Sequence, residues 1–184
     1  MEADQVISHT KSWVDQFVIG LNLCPFAKNP QKNGRIKYQL LNEKQGSVLL
    51  NRLLDIAKEL AESTEGKELT YIAITPKVLE HFLDYWDFCA LLEEAMYEQG
   101  LEGIIQLATF HPKYQFAGTK EDAPQNYTNR SPYPLFHFLR EKDLEQALEN
   151  YPNPEQIPIR NIEKMQAMGL AEIHALHQKM KPHL

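Results

Sequence analysis

Three short apolar runs alternate with two amphipathic stretches between residues 35 and 110, and this alternation constrains the possible folds most strongly. The runs are RIKYQLL (35–41), LTYIAIT (69–75) and GIIQLATF (103–110), whose alternating or β-branched residues are typical of strands. Between them, residues 47–63 and 78–98 carry apolar side chains at helical spacing. Strands that alternate with helices predict an α/β fold, in which a sheet is built through helical crossovers.

Helical patterns also occupy both ends of the chain. Residues 4–20 precede the first strand, and residues 132–141, 142–150 and 161–179 predict a helical C-terminal third. A length of 184 residues with 43% hydrophobic residues fits one domain, residues 1–184, with a buried core. We therefore expect a small parallel or mixed sheet; the alternative is an α+β, ferredoxin-like arrangement that includes an antiparallel strand.

Composition and charge argue against several classes of protein. The net charge of −6 is opposite to the basic surface of nucleic-acid-binding proteins and of proteins that bind anionic membranes. There is no apolar run of about 18 residues, and the polar, acidic N-terminus does not resemble a signal peptide. Cys24 and Cys89 lie far apart, which fits reduced thiols in a cytoplasmic protein. The sequence leaves the oligomeric state open.

A long loop follows the third predicted strand, which ends at His111 and Pro112. Open sheets with helical crossovers bind ligands at the carboxyl ends of their strands, so His111 stands where a site is expected. Residues 112–131 form a loop of a length that is uncommon in compact domains unless the loop is functional or disordered. Its aromatic residues and the adjacent carboxylates of Glu121 and Asp122 favour an ordered, functional loop.

The stretch TNRSPYP (128–134) predicts an anion pocket. Ser131 is a good N-cap and Pro132 a good first residue for the predicted helix 132–141. Asn129 and Arg130 stand directly before that helix, where unpaired N–H groups and the helix dipole attract a carboxylate or phosphate. In the alternative interpretation, Arg130 pairs with one of the two loop carboxylates and only fixes the loop.

A second histidine lies on the same predicted helix. His137 shares one helical face with Tyr133 and Glu141, and Arg140 is one step around the helix. This face would be directed toward the long loop and toward His111, at the edge of the sheet formed by the carboxyl ends of the strands. Two histidines directed at one rim are suited to acid–base chemistry or to metal binding.

Cys24 is the candidate nucleophile. It lies in NLCPFA, directly after the first predicted helix, where Pro25 and Phe26 would hold the thiol in a defined position. If this loop covers the strand ends, Cys24 and a histidine would form a nucleophile–base pair. The alternative is that Cys24 is a small buried apolar residue, as free cysteines often are.

Four motifs resemble those of a bacterial and plant family that is catalogued as a domain of unknown function, number fourteen-fifteen. The motifs are GLNLCPFA (20–27), FHPKYQFAGT (110–119), NYTNRSPYPLFHFLRE (126–141) and IPIRNIEKMQAMG (157–169). The resemblance runs from the first predicted helix to the last, and it implies that Glu121 and Asp122 correspond to an acidic pair of the family. It also implies a signature composed of Cys24, His111, Asn126, Asn129, Arg130, His137 and Arg140. It implies no activity.

The favoured hypothesis is a metal-independent hydrolase or transferase that acts on a small anionic metabolite. Segments 22–27 and 109–140 would build the site, with Cys24 as nucleophile and either His111 or His137 as base. Asn126, Asn129, Arg130, Ser131 and Arg140 would then bind the substrate.

Two alternatives remain open at this point. One is a metalloenzyme in which His111, His137 and either Glu121 or Asp122 bind a divalent metal ion. The other is a non-catalytic module that binds a metabolite or a partner protein through Arg130 and Arg140.

Overall fold

The computed structural model describes residues 3–63, 70–149 and 151–180. Six α-helices lie within these ranges: α1 (Ala3–Trp13), α2 (Lys28–Lys32), α3 (Gly46–Glu62), α4 (Phe82–Glu98), α5 (Glu141–Glu149) and α6 (Ile157–Met180). The four strands are β1 (Ile36–Leu40), β2 (Thr70–Ile74), β3 (Ile105–Phe110) and β4 (Leu135–Arg140). A π-helical segment (Val14–Ile19) continues α1, and short 3-10 helices lie at Pro124–Thr128 and Pro154–Gln156. No helix within the described ranges has the length and apolarity to cross a bilayer.

The strands form one mixed sheet in the order β1-β2-β4-β3. β1 and β2 are parallel, with Ile36 opposite Thr70. β4 lies between β2 and β3 and is antiparallel to both, so His137 is opposite Ile72 on one side and Ala108 on the other. The predicted mixed sheet with helical crossovers is confirmed. The element order β-α-β-α-β-β differs from the β-α-β-β-α-β order of the ferredoxin-like alternative.

Helices cover both faces of the sheet. The crossover helices α3 and α4 pack on one face, as expected when successive crossovers of the same hand move along a sheet in one direction. α1, the π-helical segment and α6 pack on the other face. The first core contains Leu53, Ile56, Tyr85, Leu92, Tyr71, Phe136 and Phe138. The second contains Val6, Trp13, Phe17, Met165, Ile173, Ile72, Ile74 and Leu135. β2 and β4 are therefore buried on both faces.

The helix predicted over residues 132–141 is wrong, because Leu135–Arg140 forms strand β4. Phe136 and Phe138 face the α3–α4 core, while Leu135 faces the core under α1 and α6. A strand buried on both faces is a continuous apolar run, and its periodicity does not distinguish it from a buried helix. Ser131 is accordingly no helix cap, and its hydroxyl donates a hydrogen bond to the carbonyl of Tyr133 at 2.6 Å.

The other predicted elements correspond to α1 with the π-helical segment, β1, α3, β2, α4, β3, α5 and α6. Residues 69 and 150, at the edges of a predicted strand and a predicted helix, lie outside the described residues. α6 begins four residues before its predicted start at 161, and Gly169 breaks its regular geometry with a left-handed φ of 71°.

Tyr85 connects α4 to the two antiparallel strands. Its hydroxyl donates to the carbonyl of Leu135 at 2.6 Å and accepts from the amide of Phe110 at 3.0 Å. The side chain is 0% exposed. One side chain thus satisfies backbone groups at the end of β3 and at the start of β4, next to the connection that carries the long loop.

Replacing Tyr85 with Phe should lower the free energy of unfolding by about 1–3 kcal/mol, because a buried amide and a buried carbonyl each lose a hydrogen-bond partner. Urea unfolding of both proteins measures the difference. Tyr97→Phe is the matched control, since Tyr97 lies on the same helix and is 65% exposed; its effect should stay within about 0.5 kcal/mol. Equal losses in the two variants would contradict the role assigned to the Tyr85 hydroxyl.

Candidate functional site

The loop that carries Cys24 begins where the π-helical segment ends. The amide of Gly20 donates to the carbonyl of Asp15 at 3.0 Å, and the amide of Leu23 donates to the carbonyl of Val18 at 2.8 Å. Asn22 has a left-handed φ of 53°, which turns the chain out of the helix. Cys24 follows directly, so the geometry of this helix end determines where its thiol lies.

Helix α6 holds this loop in place from the other end of the chain. The side-chain amide of Asn161 donates to the carbonyl of Leu23 at 2.7 Å. The ammonium group of Lys164 donates to the carbonyl of Leu21. Two side chains one helical turn apart thus satisfy two loop carbonyls just before Cys24.

Cys24 is mostly shielded from solvent, and it lines two hollows. Burial raises its pKa above the ordinary value of 9.0, and hydrogen bonds from the backbone N–H groups of Phe26 and Ala27 act in the opposite direction. Because burial is the larger effect, Cys24 is a protonated thiol at neutral pH. The two N–H groups are positioned to stabilise a thiolate when one forms.

His137 projects from β4 on the sheet face that α1 and α6 cover, and its Nε2 forms a hydrogen bond with the hydroxyl of Thr70. That hydroxyl donates its own proton to the carbonyl of Phe138 at 2.8 Å. Nε2 must therefore carry the proton of the neutral ring, which leaves Nδ1 as the nitrogen that can accept one. Burial lowers the pKa of His137 to about 4, so the imidazole is neutral at pH 7.

Cys24 and His137 line the same small pocket, which we call the histidine pocket. Its volume is about 120 Å³. Its walls are Cys24, Phe26, Ala27, Pro30, Ile36, Thr70, His137, Leu139, Arg140, Asp143, Leu144 and Ala147. The two side chains share this space without a direct hydrogen bond, and such contacts commonly tighten only when substrate binds. The structure thus brings together a thiol and one of the two histidines that the sequence paired with it.

Cys24 also lines a second hollow, which we call the apolar cleft. Its volume is about 560 Å³, within the usual range of small-molecule sites. Its walls are Val18, Leu23, Cys24, Phe110, Phe116, Thr119, Gln125, Thr128, Asn129, Pro158, Asn161 and Ile162. None of these side chains carries a formal charge.

Asn161 also lines a third hollow, of about 620 Å³. Its lining includes two basic residues, Arg160 and Lys164, and two acidic residues, Glu163 and Glu172. It contains neither Cys24 nor His137. Although this hollow is larger, the candidate nucleophile Cys24 and the candidate base His137 line the other two hollows.

His111 lies on the opposite side of the sheet from His137. It is fully buried beside the aromatic rings of Tyr85 and Phe82, with centroids 5.0 and 5.5 Å away. Its Nε2 is 3.0 Å from the carbonyl of Leu79, and its Nδ1 accepts from the amide of Lys113 at 3.0 Å. Burial lowers its pKa. Both ring nitrogens are engaged by the backbone, and the ring lines neither the histidine pocket nor the apolar cleft.

The four residues considered as metal ligands are not brought together. His111 and His137 lie on opposite sides of the sheet, and the side chains of Glu121 and Asp122 are exposed on the loop. Within residues 3–63, 70–149 and 151–180, no group of three His, Cys, Asp or Glu side chains is placed to hold a metal ion. The arrangement therefore gives the metalloenzyme alternative no support.

Asn126 organises the long loop from within. Its side-chain oxygen accepts from the amide of Phe116 at 3.0 Å and from the hydroxyl of Thr119 at 2.9 Å. Its side-chain nitrogen donates to the carbonyls of Lys120 and Glu121 at 2.8 and 3.2 Å. These four bonds use the full hydrogen-bonding capacity of a buried amide, so Asn126 fixes the shape of the loop.

Arg130 holds the same loop through backbone carbonyls. Its guanidinium donates to Tyr114 at 3.1 Å and to Glu121 at 2.6 Å, and it stacks over the Tyr127 ring at 4.6 Å. This geometry agrees with the alternative in which Arg130 only fixes the loop. Arg130 binds the backbone carbonyl of Glu121, however, and not its side-chain carboxylate. Because no helix begins at Pro132, where the chain instead leads into β4, the predicted anion pocket loses the dipole on which it depended.

The remaining predicted binding residues have mixed positions. Arg140 borders the histidine pocket, but its guanidinium donates to Asp143 at 2.6 Å and to Ser63 at 2.8 and 2.9 Å. Asn129 lines the apolar cleft, and Ser131 is buried against the backbone of its own turn. The structure therefore places Asn129 and Arg140 at the site and uses Ser131 to shape the chain.

Sequence reasoning missed two residues of the site, Thr70 and Asn161. Thr70 begins a strand and carries no motif around it, so only the pairing of β2 with β4 reveals that it meets His137. Asn161 lies inside the motif IPIRNIEKMQAMG, and that motif was the one available signal for it.

The reaction of Cys24 with iodoacetamide should speed up about tenfold per pH unit from about pH 6 to 9. The reason is that the thiolate is the reacting species and the thiol pKa is raised. His137, with its pKa of about 4, is uncharged across this range and supplies no cation to stabilise a thiolate. A Cys89→Ala background isolates the Cys24 signal. A rate that is already constant below pH 7 would contradict this prediction, since it would indicate a thiolate–imidazolium pair at rest.

Gly20→Ala should lower the free energy of unfolding by about 1–3 kcal/mol, and it should speed up the labelling of Cys24 because a disturbed loop shields the thiol less. A Cβ at this position would lie 2.2 Å from the carbonyl oxygen of Gln16. Gly46→Ala is the control, because its Cβ would meet only Phe88 at 3.9 Å. Thermal unfolding compares the two variants, and an unchanged melting temperature for Gly20→Ala would refute the assigned clash.

Comparison with known proteins adds one match. No significant match to this chain occurs among curated proteins or among solved structures. The model of a family described as a protein of unknown function, DUF1415, matches residues 5–175. The matched range contains the residues Cys24, His137, Thr70 and Asn161 of the candidate site. The chain belongs to the DUF1415 family.

Proposed function

We propose that this protein is a cysteine-dependent enzyme that transfers or hydrolyses acyl groups, with Cys24 as nucleophile and His137 as base. The observation that carries the proposal is that both side chains line one pocket although they come from distant parts of the chain. A thiol and an imidazole that share a pocket, with backbone N–H groups directed at the sulfur, are a recurrent arrangement for nucleophilic catalysis.

In this mechanism the sulfur of Cys24 attacks the carbonyl carbon of an ester or thioester. A C–S bond forms, and the thiol proton passes to Nδ1 of His137. When the tetrahedral intermediate collapses, the bond to the leaving group breaks and the imidazolium returns the proton to that group. Water, or an acceptor alcohol, amine or thiol, then releases the acyl group by the same steps in reverse.

The resting pair is uncharged, and this suits a coupled proton transfer. Burial raises the pKa of Cys24 and lowers that of His137, so neither ion forms in the empty pocket. Each ion stabilises the other once attack begins, because unlike charges in a poorly solvated pocket attract strongly. Thr70 is a positioning residue, since its hydroxyl accepts a hydrogen bond from the Nε2–H group of His137 and leaves Nδ1 as the base.

A second candidate function is non-catalytic binding of a ligand in the apolar cleft. The protonated state of Cys24 at neutral pH favours it, because a binding module requires no thiolate. This candidate tolerates the loss of both Cys24 and His137, whereas the enzyme requires them.

The reaction partner in this proposal is a small molecule and not a nucleic acid, in keeping with the net charge of −6. A cytoplasmic location is part of the proposal as well. Both cysteines are free thiols in the structure, and a nucleophilic thiol is preserved in a reducing compartment.

Incubation with p-nitrophenyl acetate should release p-nitrophenol and add one acetyl group to Cys24, detected by mass spectrometry of the intact protein and its peptides. Cys24→Ala should abolish both signals, and His137→Gln should slow acetylation by at least about 100-fold. Cys89→Ala is the matched control, because Cys89 is buried in the α3–α4 core on the other face of the sheet.

Circular dichroism and thermal unfolding of each variant separate a loss of chemistry from a loss of fold. If folded Cys24→Ala protein still cleaves the ester at the rate of the parent protein, the proposal is wrong. Acetylation of Cys24 that is equally fast with and without His137 would remove the imidazole from the mechanism.

A further inference from the structure

We infer that the apolar cleft binds the acyl part of the substrate, and that the substrate is an ester or thioester of an uncharged, apolar carboxylic acid longer than acetic acid. The inference rests on the proposed function and specifies its substrate class. The sequence suggested a small anionic metabolite; the substrate inferred here instead has an acyl group without charge.

Continuity with the nucleophile is the first argument. Cys24 is the residue common to the apolar cleft and the histidine pocket, so a group attached to its sulfur extends into one or the other. The histidine pocket, at about 120 Å³, accommodates a water molecule or a small part of the leaving group. The cleft, at about 560 Å³, is the space of substrate size.

An aromatic side chain of the cleft wall also lies near His137. Phe110 lines the cleft, and its ring centroid is 6.3 Å from that of His137. The base and the wall of the cleft are therefore neighbours. A carbonyl held at the sulfur would have His137 on one side and the cleft on the other.

Three of the polar side chains in the cleft wall, Asn129, Thr119 and Asn161, form hydrogen bonds to neighbouring protein groups. The Asn129 amide donates to the carbonyl of Thr109 at 3.1 Å and accepts from the hydroxyl of Thr128 at 3.0 Å. The Thr119 hydroxyl contacts the carbonyl of Phe116 at 2.7 Å. Asn161 donates to the loop that carries Cys24. The surface left for a ligand is dominated by Val18, Phe110, Phe116 and Ile162.

This lining determines the charge of the bound group. A carboxylate placed in the cleft would lose water without gaining a Lys, Arg or His partner, because none lines it. An alkyl or aryl chain would instead remove its own apolar surface and that of the walls from water. The cleft therefore favours substrates whose acyl chain is long and apolar over substrates whose acyl chain carries a charge.

The decisive experiment measures the second-order rate of Cys24 acylation by p-nitrophenyl acetate, butyrate, hexanoate and monosuccinate. Each rate is divided by that of N-acetylcysteine with the same ester, which removes intrinsic reactivity. From acetate to hexanoate the normalised rate should rise at least tenfold, since each added CH₂ enters an apolar cleft. The succinate ester should react more slowly than butyrate by at least tenfold.

A pair of variants tests whether the cleft itself causes the preference. Ile162→Glu places a carboxylate in the cleft wall and should reduce the ratio of hexanoate to acetate rates by at least fivefold. Ile159→Glu is the matched control: Ile159 lies on the same helix, is 48% exposed against 38% for Ile162, and does not line the cleft. Its ratio should equal that of the parent protein.

The outcomes separate this inference from the proposed function. If Cys24 is acylated equally fast by all four esters, or fastest by the succinate ester, the inference is overturned while the enzyme proposal stands. An unchanged rate ratio in folded Ile162→Glu protein would also overturn it. If no ester acylates Cys24, the proposed function fails and the substrate inference fails with it.

Discussion

The backbone hydrogen bonds of β4 join the two halves of the sheet. β1 and β2 pair with each other, whereas β2 and β3 do not pair directly and are joined through β4, which pairs with both. Tyr85 adds side-chain hydrogen bonds at the point where β3 ends and β4 begins. The same strand places Phe136 and Phe138 in one core and Leu135 in the other. Both layers of helices therefore depend on β4.

The candidate site depends on the same strand and on a helix at the far end of the chain. β4 carries His137, and its pairing with β2 brings Thr70 to the imidazole. Cys24 lies outside the sheet, on a loop whose carbonyls are held by Asn161 and Lys164 of α6. Three regions that are far apart in sequence therefore fix one thiol and one imidazole. Such a site is sensitive to changes in packing that touch neither of its reactive atoms.

The sequence predicted the parts of the fold that show a clear period. Five of the six described α-helices and three strands were recognisable from apolar side chains at regular intervals or from short β-branched runs. The short helix α2 was missed, because its five residues show no apolar period and include Pro30. β4 was misread as a helix because LFHFLR is apolar on both faces and follows Ser-Pro, a sound helix-start signal in other contexts. The sequence already suggested that Cys24 and a histidine share a site, and Cys24 and His137 do line one pocket. The choice of His137 over His111 could not be predicted, because it depends on which sheet face each ring occupies.

The position of β4 in the sheet also has a consequence for synthesis on the ribosome. β2 ends at Ile74 and its antiparallel partner ends at Arg140, so the edge of β2 that β4 covers lacks its partner until 66 further residues have been made. At the usual pace of translation this interval lasts roughly 3–13 s. During that time the nascent chain presents an apolar strand with open backbone groups, which is the kind of surface that chaperones shield and that aggregation exploits.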